Sequence, residues 1–179
     1  MTLGPVSYVV LGLLDRDGPS TPYELKAAVG RGVAAFWPFP HSQIYAETQR
    51  LTGFGLLAEE REDVGRRRRT YRVTAAGRGA LRAWLAEPTT EEPQLRSLAL
   101  LQLYFGQLAE PSDIAALAGA QLRMHAGRLD GLDRVIGRLT ERGDPPWQLT
   151  VAHLLRDADT AMVAHWQRIR DMLSAPPPP

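Results

Sequence analysis

Four consecutive arginines, Arg66 to Arg69, follow Gly65 and run straight into Thr70-Tyr71-Arg72-Val73-Thr74. Like charges packed this closely repel one another unless an anion meets them, and each guanidinium carries a planar fork of donors suited to phosphate. Anion binding is the chemistry such a run can do; a solvated basic turn is the plainer alternative. The positive charge is local. The chain carries a formal net charge of only +1, yet Glu60 to Arg82 holds 8 arginines against 3 acids. Residues 1–82 hold 12 basic and 8 acidic residues, whereas residues 83–179 hold 9 and 12. That distribution describes a surface patch and not a generally basic protein.

Other chemistries find little support. The chain has no cysteine, which excludes disulfides, thiolate metal sites and a cysteine nucleophile together. Its four histidines are His41, His125, His153 and His165. His153 and Asp157 stand four apart and could share a metal, but no third ligand is evident, so a surface pair is the better reading. No Gly-rich phosphate loop, nucleophile elbow or paired-carboxylate signature is present. The expectation is a non-enzyme with no cofactor. The apolar start, Leu3 to Leu14, lacks the basic flank and cleavage site of a signal peptide, and nothing reaches the roughly 18 apolar residues of a membrane span. A cytoplasmic protein with no membrane partner is expected.

The elements that must position the basic run follow from periodicity. Leu3, Val6, Val10, Leu13 and Leu14 recur at helical spacing until Asp17-Gly18-Pro19. Thr21-Pro22-Tyr23-Glu24 reads as a capping box with proline in the first turn, opening a helix from Pro22 to about Val29. An aromatic and proline-rich loop, Phe36 to Pro40, leads to a third helix over His41 to Phe54 with Ile44, Leu51 and Phe54 on its apolar face. Leu57 to Glu62 and Thr70 to Thr74 read as two strands of a hairpin around the glycine and arginines. Thr74 then caps a helix from Ala75 to about Glu87. Three helices followed by a two-stranded hairpin is the order of a winged helix-turn-helix.

Beyond Glu87-Pro88-Thr89-Thr90-Glu91-Glu92-Pro93 the pattern is helical to about Leu173. Ala118, Leu122, His125, Leu129, Leu132, Ile136 and Leu139 keep heptad spacing, as do Val151, Leu155, Ala158, Met162, His165, Ile169 and Met172. Gly143-Asp144-Pro145-Pro146 supplies a turn between them. The seams could close on each other as an antiparallel hairpin, or also recruit a second subunit; spacing does not separate the two. The expected organisation is a winged-helix domain over 1–87, a linker over 88–93, a helical dimerisation domain over 94–173 and a disordered Pro-rich tail over 174–179. The fold class is mainly α with one small hairpin. Trp37, Trp84, Tyr104, Phe105, Trp147 and Trp166 are read as core and not as a ligand site.

Several motifs together resemble the PadR family of bacterial transcriptional regulators. They are Tyr23-Glu24-Leu25-Lys26, Phe36-Trp37, Ser42-Gln43-Ile44-Tyr45, Gly55-Leu56-Leu57 and Arg69-Thr70-Tyr71-Arg72-Val73-Thr74 with Gly77 following, in family order over the first ~85 residues. The chain departs from the family in having Thr21-Pro22 before the tyrosine, Ala46 where a proline is usual, and Phe39 where a serine or threonine cap is usual. The resemblance implies a C-terminal dimerisation domain, and in some members repression relieved by a small molecule such as a phenolic acid. It also implies phosphate contacts from Tyr23 and Lys26.

In a helix-turn-helix the second helix enters the major groove. Ser42, Gln43, Gln49 and Arg50 are then the side chains able to reach base edges, with Tyr45 on a phosphate. Arg66, Arg67, Arg68, Arg69 and Thr70 form the wing. The dimer seam would use Leu122, His125, Leu129, Leu132, Ile136, Leu155, Met162, His165 and Ile169. Double-stranded DNA and a second copy of the chain are the expected partners, on a pseudo-palindromic operator, with a small-molecule effector implied only by the resemblance. A winged-helix protein-interaction module that binds no DNA is the alternative.

Overall fold

The computed structural model describes residues 2–61, 69–143 and 145–174. The chain divides into two compact units, Met1–Glu91 and Glu92–Pro179. Residues 88–97 between their regular elements carry no helix or strand.

The first unit contains α1 (Pro5–Asp17), α2 (Pro22–Gly30), a 3-10 turn (Val33–Ala35), α3 (Ser42–Gly53), β1 (Leu57–Arg61), β2 (Arg69–Val73) and α4 (Ala75–Ala86). Local sequence sets the element boundaries. The Thr21 hydroxyl accepts the Glu24 amide at 3.2 Å while the Glu24 carboxylate accepts the Thr21 amide at 2.8 Å, a closed capping box at the start of α2. At the end of α3, Gly55 takes φ +70°, and the Leu56 amide donates back to the Leu51 carbonyl at 2.9 Å. That glycine-dependent reversal returns the chain to the core and starts β1. The strands pair antiparallel, with Leu57 opposite Val73 and Arg61 opposite Arg69. Ser20 adds a bridge to the outer side of β2, exchanging both backbone bonds with Tyr71 at 3.0 and 2.9 Å, so the hairpin is tied to the entrance of α2.

One apolar core joins all of this: Leu11 and Leu14 of α1, Leu25 and Val29 of α2, Ile44 and Leu51 of α3, then Leu57, Tyr71, Val73 and Leu81. Phe54 is a correction. It caps α3 at 44% exposure and does not join Ile44 and Leu51, because the helix ends at Gly53 before its next turn can bring position 54 inward. Trp84 stacks flat on Tyr8 with ring centroids 4.4 Å apart.

Gly77 shows why α4 starts where it does. A Cβ at this position would lie 2.2 Å from the Leu56 carbonyl oxygen and 2.8 Å from Val73 Cγ2. Thr74 locks the same approach: its amide donates to Leu56 O at 3.0 Å, and its hydroxyl accepts the Gly77 amide at 3.1 Å. Alanine is the better helix former by about 1 kcal/mol, but the backbone oxygen cannot yield, so Gly77→Ala is expected to destabilise the unit by about 2 kcal/mol net. A thermal melt that rises, as propensity alone demands, would contradict this packing.

The second unit contains α5 (Leu98–Tyr104), a 3-10 turn (Gly106–Leu108), α6 (Pro111–Arg142) and α7 (Pro146–Ser174). Gly143, at φ +63°, ends α6, and α7 folds back antiparallel along it: His125 meets Asp159 and Asp133 meets Arg156. The seams therefore close within one chain. The α6 seam lies as spaced, with Ala118, His125 and Leu132 buried. The α7 seam is displaced. Leu155, Met162 and Ile169 lie on the inner side, but Ala152, Asp159 and Trp166 are buried where Val151, Ala158 and His165 were expected. His165 is exposed and accepts a hydrogen bond from Arg168 at 2.7 Å. Of the six aromatics read as core, only Trp166 is buried; the other five are 45% or more exposed. Ser174 belongs to α7, and the tail expectation for 175–179 falls outside the described residues.

Candidate nucleic-acid interface

The expected site residues lie on three elements of the first unit. On α2, Tyr23 is 72% exposed and Lys26 stands one turn later on the same outer face, while Leu25, Ala28 and Val29 anchor the opposite side. On α3, Ile44, Thr48 and Leu51 face the core. Ser42, Tyr45, Ala46 and Gln49 therefore share one exposed stripe at positions i, i+3, i+4 and i+7. Gln43 is exposed on the flank of that stripe, above Glu47 and Arg50. The helix begins with no side chain capping it, since His41 occupies the cap position without a side-chain bond. Backbone carbonyls take that place: the Gln43 and Ile44 amides donate to the Pro40 and His41 carbonyls at 3.0 and 3.1 Å, which leaves the positive dipole end facing outward.

Arg50 differs from the rest. Its Nε and Nη2 hold the Glu47 carboxylate at 2.9 and 2.7 Å, and its guanidinium also reaches Ser7 and the Thr2 carbonyl. Burial pushes the Glu47 carboxyl up, but hydrogen bonds from Arg50 and Ser7 with the Arg50 charge outweigh that and hold it below the usual carboxylate range. The pair is charged wherever the protein is folded near neutrality.

The wing is described only at its base. Arg66, Arg67 and Arg68 fall outside the described residues. Arg69 and Thr70 begin β2, with Arg69 exposed. The base is less basic than its arginines suggest. Glu59 receives Arg61 Nε at 2.6 Å, with Arg69 Nε 3.6 Å away, and Glu60 receives Arg72 Nε at 2.7 Å. The Arg61 hydrogen bond, against slight burial and with the charges of Arg61 and Arg69, holds the Glu59 carboxyl below its ordinary range. These exposed pairs contribute little stability, and their acids compete with any external anion for the same guanidiniums.

Sequence reasoning missed Ser7 and Glu47 as partners of Arg50, and Asp159 as the partner of His125. The Glu47–Arg50 spacing of three was a readable signal. The other two pairings join residues 43 and 34 positions apart, which no local pattern reveals. Among the described residues, no three His, Asp or Glu converge on a metal site, and no helix is long and apolar enough to cross a membrane.

Residues 10–83 match the transcriptional regulator PadR-like family, so the resemblance carried by the sequence motifs is borne out over that span. That family is one of regulators and not an enzyme class. The negative transcriptional regulator PadR of Bacillus subtilis (strain 168) is 25% identical over 142 residues, 78% of each chain. The structure of Bacillus subtilis PadR in complex with operator DNA superposes with a TM-score of 0.83 at 23% identity, over 94% of this chain and 98% of that one. Bacillus subtilis PadR in complex with p-coumaric acid gives a TM-score of 0.79 at 22% identity, over 98% and 100%. At these identities the superpositions carry the fold: a winged helix followed by a C-terminal helical region.

Proposed function

We propose, from the PadR-like domain that residues 10–83 form, that this chain is a cytoplasmic transcriptional regulator that binds double-stranded DNA as a homodimer. The observation that carries the reading is the stripe of Ser42, Tyr45 and Gln49 on α3, exposed on the side opposite Ile44 and Leu51. Such a helix enters the major groove, where Gln49 can pair an adenine edge while Ser42 and Gln43 reach neighbouring bases at the N-terminal end. Tyr45, Tyr23 and Lys26 contact phosphates and set register. Arg66 to Arg69 and Thr70 reach the backbone beside the groove. The similarity to a negative regulator supports repression, and the similarity to a complex with p-coumaric acid supports release by a small-molecule effector.

What supports a second copy is the apolar surface of the helical unit. The seam residues Leu122, His125, Leu129, Leu132, Ile136, Leu155, Met162 and Ile169 serve the α6–α7 pairing within one chain. Leu98, Leu101, Tyr104, Phe105 and Leu108 around α5 remain half or more exposed, an apolar patch that an isolated subunit rarely leaves open. Two copies related by a two-fold axis would present two α3 helices to half-sites about 10 base pairs, or a multiple of that, apart.

The test is titration of the DNA upstream of its own gene across a salt series. Binding whose log K falls linearly with log salt supports the reading; salt-independent binding, or none to this or to a selected duplex, contradicts it.

A further inference from the structure

Arg50 is on the recognition helix, is permanently charged, and was expected to read a base. Its bonding is that of a clamp. Its Nε and Nη2 grip Glu47 one turn earlier on α3, and the guanidinium carbon lies 5.1 Å from the Phe54 ring centroid one turn later. Nη2 also donates to the Ser7 hydroxyl in the first turn of α1 at 2.9 Å, and Nη1 to the Thr2 carbonyl in the segment before α1 at 3.2 Å. Ser7 is 1% exposed, and its hydroxyl also accepts the Gly4 amide at 3.0 Å, so the group that receives Arg50 is itself fixed. To reach a base edge or a phosphate the side chain would have to surrender several charge-assisted hydrogen bonds at once.

Apolar contacts of Ile44 and Leu51 hold α3 to the core but are non-directional. A planar fork bonded on two sides is directional. Resting on the DNA-binding reading above, we infer that Arg50 is a positioning residue: it fixes the angle at which α3 presents Ser42, Tyr45 and Gln49, and it touches no DNA. The salt link to Glu47 then belongs to specificity, and the unit's net charge toward the phosphate backbone comes from other residues.

The experiment uses the full chain and two probes: the duplex that the wild type enriches from a random-sequence pool, and a scrambled duplex of equal length. Arg50→Ala and Arg50→Lys, shown by circular dichroism to be folded at the assay temperature, are expected to weaken the enriched duplex about tenfold. The scrambled duplex and the slope of log K against log salt should stay unchanged. Lysine should fail to rescue because it keeps the charge and loses the fork. Ser7→Ala carries the same test without touching α3. A side chain this buried cannot meet DNA, so a loss of about threefold on the enriched duplex alone is expected, transmitted through the Glu47–Arg50 pair that Ser7 bonds.

A slope shallower by about 0.9 in Arg50→Ala and restored by lysine would make Arg50 a phosphate contact and overturn the inference. So would unchanged affinity in folded Arg50→Ala, or in Ser7→Ala if the arginine variants do not fold. A wild type that binds neither probe removes the DNA-binding reading itself, and the inference falls with it.

Discussion

Asp159→Ala is expected to lower the stability of the helical unit by about 3 kcal/mol. Asp159 is 3% exposed in the middle of the α6–α7 hairpin, and its Oδ1 lies 2.6 Å from His125 Nδ1. Arg128 Nε adds bonds to both carboxylate oxygens at 3.1 and 2.9 Å. With the carboxylate ionised, the histidine bond requires Nδ1 to carry the proton. Alanine would leave that donor buried without a partner, open a cavity beside it, and release Arg128 to solvent. Chemical denaturation followed by circular dichroism should show the midpoint fall. Adding His125→Leu to Asp159→Ala should recover most of the loss, because that apolar pair nearly matches the original pair in volume and has no unmet polar atom. A single-variant loss below about 1 kcal/mol would mean that the pair is solvated and not a buried link.

Alanine at Arg66 to Arg69 together is expected to weaken DNA binding on the order of 100-fold at physiological salt and to make the salt slope shallower by about 3. About three phosphate contacts are lost, since Arg69 is drawn toward Glu59 at 3.6 Å and counts for less than Arg66, Arg67 and Arg68. Because phosphates carry no sequence information, the loss should be nearly equal on operator and scrambled DNA. Gln49→Ala should do the reverse, weakening the operator alone. Equal affinities of the quadruple variant and the wild type across the salt series would show the wing to be an ordinary solvated turn.

What was legible in the sequence was local. The capping box of Thr21 and Glu24, the Thr74 cap and the glycine at the end of α6 each declare themselves within a few residues, because their chemistry operates within one helical turn. The antiparallel hairpin followed from two heptad repeats and a turn. Features decided by distant partners were not legible. Arg50 looks like any polar residue of a recognition helix until Ser7 and Thr2 are brought beside it. Gly77 follows a strand and opens a helix, but only the Leu56 carbonyl explains why it has no side chain. The α7 seam was misplaced at alternate positions because apolar residues fill both neighbouring stripes there. The deciding residue, Asp159, is polar and joins the seam only through His125 and Arg128. Tyr104 and Phe105 read as core because large aromatics usually pack inward, yet both are half or more exposed.

The central proposal is that α3 reads DNA from a two-fold dimer. The measurement that tests this most directly is selection of binding sites by the wild-type protein from a random-sequence duplex pool. The expected result is one enriched motif with two inverted half-sites whose centres are about 10 base pairs, or a multiple of that, apart, lost or altered when Gln49 is replaced. Enrichment of no motif would contradict a sequence-specific regulator, and a single motif without an inverted partner would contradict the dimer.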